Sequence, residues 1–92
     1  MKHYLVCYDI EDDRERARVA RLLQRYGTRV QYSVFELHMA KSQVLEGLLD
    51  ALRNLVSEEA DIRFYRLTAD GLQDSMNLQG DAIGIRSLVL IV

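Results

Sequence analysis

Cysteine and histidine are scarce in this chain, which contains one cysteine, Cys7, and two histidines, His3 and His38. A single cysteine forms no disulfide within the chain, as expected of a protein in a reducing cytoplasm. The histidines lack zinc-ligand spacing to Cys7, and no Ser-His-Asp or Cys-His arrangement is visible. Neither a zinc site nor triad-based hydrolysis is therefore expected.

Long apolar runs are also missing. The stretch from Leu88 to Val92 is too short to cross a bilayer, and the first residues lack the basic and apolar regions of a signal peptide. Gly80 and Gly84 have neither P-loop nor dinucleotide-binding spacing. We expect a cytoplasmic protein that does not contact a membrane.

The composition is that of a folded protein with a local excess of arginine. The chain has 92 residues, 49% of them hydrophobic and 28% charged, so we expect one domain over residues 1–92. The formal net charge is −2, yet six of the twelve basic residues fall within residues 14–29 and all six are arginine. The overall charge argues against indiscriminate nucleic-acid binding, but the cluster permits a local site.

Hydrophobic periodicity predicts alternating strands and amphipathic helices. The predicted elements are a strand at 2–9, a helix at 13–26, one bent strand or two short strands turned near Tyr32-Ser33 at 28–39, a helix at 42–56 and a strand at 62–67. Asp12 or Asp13 is the expected N-cap of the first helix. Gly27 is the expected C-terminal stop.

The region after residue 68 is less regular. It suggests a helical turn near 71–76, a small strand near 83–85 and an apolar final strand at 88–92. This order predicts an α+β fold, a ferredoxin-like βαββαβ sandwich with an extra C-terminal strand. Strands that are apolar on both faces predict a homodimer packed sheet to sheet, with residues 69–92 contacting the partner.

Asp9 is the main candidate for a catalytic and metal-binding residue. It ends an apolar strand, at the sheet edge where layered α/β proteins often place their chemistry. One carboxylate is a poor metal site, but Mg²⁺ keeps several waters, and a two-fold axis near the strand end would add a second Asp9. The alternative, that Asp9 merely caps the turn together with the acids at 11–13, stays open.

The arginines divide by helical angle. Arg16 would lie at the edge of the inward face, near the strand end that carries Asp9. A stripe on the opposite side of the helix would contain Arg14, Arg18, Arg21 and Arg25. Ion pairs such as Asp12–Arg16 would explain part of this charge, whereas arginine without lysine favours phosphate binding. Both interpretations stay open.

Three aromatic residues lie near this region, and several motifs connect them to the arginines. We interpret Tyr8, Tyr32 and Phe35 as core or interface residues rather than base-stacking platforms.

Several short motifs in the first 36 residues resemble those of a known family. They are Tyr8-Asp9-Ile10, Asp12-Asp13, Arg16-x-Arg18-Val19-Ala20, Leu22-Leu23, Tyr26-Gly27 and Arg29-Val30-Gln31-Tyr32-Ser33-Val34-Phe35-Glu36. Through them, residues 4–36 resemble the CRISPR-associated protein two family. The similarity is looser up to residue 67, and residues 68–86 show no specific match.

The resemblance implies a ferredoxin-like homodimer in which Asp9 from each subunit holds Mg²⁺ or Mn²⁺ on the dimer axis. It implies a metal-dependent endonuclease acting on single-stranded RNA or double-stranded DNA, and a partner of the CRISPR integrase in spacer acquisition. The family's supporting positions fall on Tyr8, Arg16, Arg18, Arg29 and Phe35. Basic residues of the first helix, including Arg14 and Arg21, are expected to hold the prespacer duplex.

Three other functions are compatible with parts of the pattern. The dimer would be purely architectural if it bound DNA and integrase while Asp9 had no catalytic duty. A ribonuclease toxin of the virulence-associated protein D type has a similar fold. A ligand-sensing ferredoxin-like module is disfavoured, because no feature suggests a small-molecule pocket.

Overall fold

Four antiparallel strands form one sheet in the order β2-β3-β1-β4, in a computed structural model that describes residues 2–83. The elements in chain order are β1 (Lys2–Asp9), α1 (Asp13–Leu23), β2 (Gly27–Gln31), β3 (Val34–Met39), α2 (Ser42–Leu55), β4 (Asp61–Leu67) and α3 (Ala69–Asp74). β1 is central and pairs with β3 and with β4. The predicted ferredoxin-like βαββαβ sandwich is confirmed.

The core lies on one face of the sheet, against α1 and α2. Side chains alternate along β1, so that Tyr4, Val6 and Tyr8 are buried while the residues between them are partly exposed. The same cluster contains Val19, Leu23, Phe35, Leu37, Met39, Leu48 and Leu52. This packing fixes β1, and with it the strand end that carries Asp9.

The first helix begins as predicted and ends earlier. The Asp12 side chain accepts hydrogen bonds from the backbone N–H groups of Arg14 and Glu15, both at 2.9 Å. The hydrogen bond from Glu15 is the main cause that lowers the pKa of Asp12. The helix ends at Leu23 rather than at residue 26, because the chain tightens into a turn in which the Tyr26 N–H donates to the Leu23 carbonyl.

Gly27 has a different role from the one predicted. Among the described residues, the glycine with positive φ is Gly80, so Gly27 is not a left-handed helix stop. It begins β2 and lies so close to β3 that an added Cβ would stand 2.0 Å from the Glu36 carbonyl oxygen. Gly27 is therefore needed for a close approach of two backbones.

Residues 28–39 form two strands, which confirms the second of the two alternatives. β2 and β3 make a hairpin with Tyr32 and Ser33 at its tip, and the register shifts between Arg29 and Gln31. A bulge of this kind adds twist and redirects side chains near the end of a hairpin. The hairpin tip consequently lies close to the start of α1, as the hydrogen bonds of Arg16 show.

The later elements follow the prediction closely, with one difference. The short helix α3 starts at Ala69, slightly before the predicted turn, and Met76 forms an isolated bridge with Ala82, one residue before the small strand predicted near 83–85. Ile83 is not in a strand, and residues 84–85 of that prediction and the final strand at 88–92 lie outside the described residues. Within residues 2–83, no helix has the length and apolar character needed to cross a membrane.

The second face of the sheet carries alternate residues of the same strands. Leu5 and Cys7 of β1 and Val34 of β3 are half-buried on this face, while Asp9 and Tyr65 are exposed. A half-apolar sheet face of this kind can be covered by another sheet. The sheet-to-sheet homodimer stays a prediction.

Candidate metal and nucleic-acid site

Asp9 is the last residue of β1, and its side chain is exposed. Its direct partner across the β1–β4 ladder is Asp61. Side chains of directly opposed residues project from the same face of a sheet, with Cα atoms about 4.5–5.5 Å apart. A single chain therefore places two carboxylates at the same end of the sheet. Sequence reasoning found Asp9 and missed Asp61.

The two carboxylates differ in their partners. Asp61 binds Arg63, whose Nε lies 3.2 and 3.1 Å from the two carboxylate oxygens and whose Nη2 lies 3.0 Å from Oδ2. Hydrogen bonding to the Asp61 carboxylate is the main cause that raises the pKa of Arg63. Within residues 2–83, no cationic side chain pairs with Asp9. Asp9 is thus the carboxylate left with an uncompensated charge.

An acidic cavity of about 280 Å³ adjoins Asp9. Its acidic lining residues are Asp9, Glu11, Asp12, Glu15, Glu59 and Asp61. Two of these have structural duties, since Asp12 caps α1 and Glu15 accepts hydrogen bonds from the Ser57 N–H at 3.0 Å and hydroxyl at 3.4 Å. The predicted role of an acid at the helix N-terminus is confirmed for Asp12.

The side chains around Asp9 offer few ligands for a divalent cation within one chain. In the part of the chain that the structure describes, no group of three or more His, Cys, Asp or Glu side chains is arranged to hold a metal ion. One exposed, unpaired carboxylate such as Asp9 supplies the hard oxygen that Mg²⁺ or Mn²⁺ prefers, and such ions retain waters. Asp9 therefore has the donor chemistry for such a cation, and the described residues of one chain do not complete a three-ligand site.

Arg16 connects the end of β1 to the hairpin tip. Its Nη1 donates to the Ile10 carbonyl at 2.9 Å, one residue beyond Asp9, and its Nε donates to the Tyr32 hydroxyl at 3.3 Å. Its side chain is 25% exposed, which confirms the predicted position at the inward edge of α1. The suggested Asp12–Arg16 ion pair is wrong, because Arg16 pairs with Asp13, one residue further along the helix.

Tyr8, Arg29 and Phe35 meet behind the hairpin tip. The Tyr32 carbonyl accepts hydrogen bonds from the Tyr8 hydroxyl at 3.4 Å, from Arg29 Nε at 2.9 Å and from Arg29 Nη2 at 2.5 Å. The Tyr8 ring stacks on the buried Phe35 ring, with 6.3 Å between centroids. Burial raises the pKa of Tyr8, so the phenol stays protonated and can donate.

Tyr32 itself is not a core residue, contrary to one of its two predicted roles. It is 68% exposed at the hairpin tip. The guanidinium carbons of Arg16 and Arg29 lie 5.9 and 5.0 Å from its ring centroid, within the range of cation–π attraction. Bulged hairpin geometry places it there, and alternation along the sequence gives no signal of that.

The predicted outer stripe of α1 is exposed. It contains Arg14, Arg18, Arg21 and Arg25. Within residues 2–83, none of these four side chains forms an ion pair. A row of unpaired guanidinium groups can neutralise phosphates along a nucleic-acid backbone. That role stays a prediction for Arg14, Arg18 and Arg21.

Comparisons with known proteins agree on one family. Residues 1–74 match the family model described as CRISPR associated protein Cas2. The chain is 50% identical over 70 residues to CRISPR-associated endoribonuclease Cas2 3 of Synechocystis sp., covering 75% of each protein. It is 45% identical over 82 residues to CRISPR-associated endoribonuclease Cas2 of Thermus thermophilus, covering 77% of this chain and 87% of that one.

Solved structures show the same similarity. A chain of a partial Cas6-RT-Cas1–Cas2 complex is 39% identical, with a TM-score of 0.84 and coverage of 90% of this chain and 91% of that chain. Streptococcus pyogenes Cas2, crystallised at pH 6.5, is 29% identical, with a TM-score of 0.73 and coverage of 83% and 98%. The resemblance inferred from residues 4–36 thus extends over most of the fold.

Proposed function

Because this chain belongs to the CRISPR associated protein Cas2 family, we propose that it is a divalent-metal-dependent endonuclease of CRISPR spacer acquisition. It cleaves phosphodiester bonds of single-stranded RNA or double-stranded DNA. The observation that carries this proposal is the exposed carboxylate of Asp9, which has no ion-pair partner within residues 2–83 and lies one residue from the carbonyl that Arg16 binds. Relatives named as endoribonucleases support it.

The active unit is a homodimer. The partly apolar second face of the sheet packs against the same face of a second copy, which brings the two Asp9 side chains together. Two close carboxylates repel each other, and a cation between them removes that cost. The two Asp9 carboxylates would hold Mg²⁺ or Mn²⁺, which would supply activation of water and compensation of charge at the scissile phosphate.

The other residues position the nucleic acid. Arg16 is held by the Ile10 carbonyl and by Asp13, so its guanidinium is fixed beside the Asp9 strand end. Arg18 on the exposed stripe contacts phosphates without reading sequence. Arg29, Tyr8 and Phe35 fix the hairpin tip next to this surface.

Metal removal tests the endonuclease proposal. Purified protein should cleave single-stranded RNA or duplex DNA in Mg²⁺ or Mn²⁺, and a chelator should abolish the cleavage, because carboxylates alone do not activate water sufficiently. The measurement is product formation on labelled substrates, with metal added back after chelation as the control. Cleavage that persists at full rate in the chelator contradicts the proposal.

A second candidate function is an architectural one, in which the dimer holds DNA and bridges integrase subunits. The structural match to a chain of a complex that contains Cas1 and Cas2 favours this role, as does the exposed arginine stripe. The two functions are compatible within one dimer. The Cas2 matches favour either of them over a ribonuclease toxin of the virulence-associated protein D type.

The arginine stripe gives a prediction for duplex binding. Replacing Arg18 and Arg21 with alanine should weaken binding to duplex DNA and reduce the slope of log K against log salt by about 0.9 for each lost phosphate contact. Arg53→Ala is the matched control, since Arg53 is an exposed helical arginine of α2 that pairs with Asp50 at 3.1 Å. Fluorescence anisotropy at several salt concentrations measures the binding constant and its salt dependence for the wild type and both variants. Equal slopes in all three proteins would remove the stripe from the DNA footprint.

A further inference from the structure

Tyr32 is an exposed aromatic residue that is held firmly in place. Its main chain is fixed because its carbonyl accepts the hydroxyl of Tyr8 and two N–H groups of Arg29. Its hydroxyl accepts the Nε–H of Arg16 at 3.3 Å. The residue is nevertheless 68% exposed, so part of its ring can contact a ligand beside the guanidinium groups of Arg16 and Arg29. A rigid, open aromatic ring loses little freedom when a ligand stacks on it.

The ring borders a cavity of about 290 Å³ with a positive lining. The residues lining it are Asp13, Arg16, Ala17, Ala20, Arg21, Gln24, Arg29 and Tyr32. The lining thus includes three arginines and one acidic residue, Asp13, which already binds Arg16. A planar guanidinium can donate two parallel N–H bonds to two oxygens of one anion, and this chemistry suits a phosphate.

Arg29 has spare hydrogen-bonding capacity in this cavity. A guanidinium carries five N–H donors, and the bonds to the Tyr32 carbonyl use Nε and one hydrogen of Nη2. The Arg29 side chain also interacts with the Tyr8 hydroxyl and lies over the rings of Tyr32 and Phe35, which fixes its position. Arg21 is exposed and forms no ion pair within residues 2–83. Both side chains therefore retain N–H donors that a phosphate can accept.

An aromatic ring next to arginines suits a nucleotide, which has both a planar base and a phosphate. We propose that the hairpin tip binds an unpaired nucleotide, with its base stacked on Tyr32 and its phosphate held by Arg21 and Arg29. A base inside a duplex has both faces covered by its neighbours, so only an unpaired base offers a free face. This inference rests on the proposed nucleic-acid function and adds to it a preference for single-stranded segments.

Four proteins test the inference: the wild type, Tyr32→Ala, Tyr32→Phe and Val30→Ala. Binding is measured by anisotropy in chelator, so that no cleavage occurs, with RNA and DNA single strands and the duplex of the same sequence. Tyr32→Ala should weaken binding to both single strands about tenfold, the usual effect of one lost base–aromatic stack, and change duplex binding less than about twofold. Tyr32→Phe keeps the ring and should bind like the wild type. Val30→Ala controls for disturbance of the hairpin, since Val30 is 41% exposed beside its tip.

A spectroscopic readout separates stacking from a structural effect. A single strand containing 2-aminopurine should lose fluorescence on binding the wild type and Tyr32→Phe, and keep it with Tyr32→Ala, because stacking on the ring quenches the base. Unchanged single-strand binding by Tyr32→Ala overturns the inference, and so does an equal loss on duplex. Loss of integrase association without loss of single-strand binding would make Tyr32 a protein-docking residue and also overturn it. Failure of the wild type to bind any nucleic acid would instead contradict the proposed function itself.

Discussion

Replacing Asp9 with asparagine is expected to reduce metal-dependent phosphodiester cleavage at least about 100-fold. Asparagine keeps the size of the side chain and one oxygen but removes the charge that attracts the cation. In a homodimer the substitution removes both ligands at once. Because Asp9 is exposed and forms no ion pair within residues 2–83, the fold should be unaffected. Labelled-substrate cleavage and thermal unfolding measure the two effects.

The matched control is the neighbouring acid together with its partner. Asp61 lies directly opposite Asp9, so if any carboxylate at this sheet end could supply the activity, losing either one would weaken cleavage alike. Asp61→Asn alone would free Arg63 to pair with Asp9, and the control therefore combines it with Arg63→Gln. We expect this double variant to retain cleavage within about fivefold of the wild type. A double variant as inactive as Asp9→Asn would show that the whole acidic cluster, rather than Asp9, carries the activity.

Mixed dimers test whether the metal is shared. A dimer with one wild-type and one Asp9→Asn subunit should be nearly as inactive as the fully substituted dimer, since one carboxylate cannot hold the ion in a cleft that needs two. Independent sites would instead leave about half of the activity, because each subunit would act alone. Retained duplex binding in the inactive dimers would show that the architectural role does not depend on cleavage.

The sequence predicts the parts of the site that are set locally. The strand ending in Asp9 follows from alternation along β1, and the start of α1 follows from the Asp12 cap, whose partners are two and three residues away. The positions of Arg16 and of the outer arginine stripe follow from the 3.6-residue period of a helix. Each of these features depends on a few neighbouring residues, so its pattern is visible in the chain.

The remaining features depend on contacts between distant segments. Asp61 meets Asp9 because β1 and β4 pair in one register, which residues far apart in the chain determine. Tyr32 is exposed at the tip of the β2–β3 hairpin, beside the register shift between Arg29 and Gln31. The position of Gly27 after a helix predicts a helix stop, whereas its actual constraint is the carbonyl of Glu36 on the neighbouring strand. None of these contacts leaves a local pattern.

Replacing Gly27 with alanine is expected to lower the free energy of unfolding by about 3 kcal/mol, the upper end of the usual cost of overpacking. The new Cβ would stand 2.0 Å from the Glu36 carbonyl oxygen and 2.8 Å from the Leu37 Cα, both of them backbone atoms. A flexible side chain could move away, but here β2 itself must shift from β3. Since small domains are stable by about 5–15 kcal/mol, much of the stability would be lost.

Gly47→Ala is the matched control, and it should raise the free energy of unfolding rather than lower it. Gly47 lies inside α2, where no atom is within 4 Å of an added Cβ. Alanine lowers the conformational entropy of the unfolded chain and favours a helix interior, so this variant should be about 0.5–1 kcal/mol more stable. Urea unfolding followed by circular dichroism measures both changes, with an unchanged slope as the check on two-state behaviour.

The two results together distinguish close approach from a general effect of glycine replacement. If Gly27→Ala lost less than about 1 kcal/mol, β2 would have room to relax and Gly27 would not constrain the hairpin. If the loss is large, the shift of β2 must also displace Arg29, whose hydrogen bonds hold the Tyr32 carbonyl. Binding of single strands should then weaken at temperatures where the variant is still folded. The close backbone approach at Gly27, at the start of β2, would then support the nucleotide contact at Tyr32, just after the end of β2.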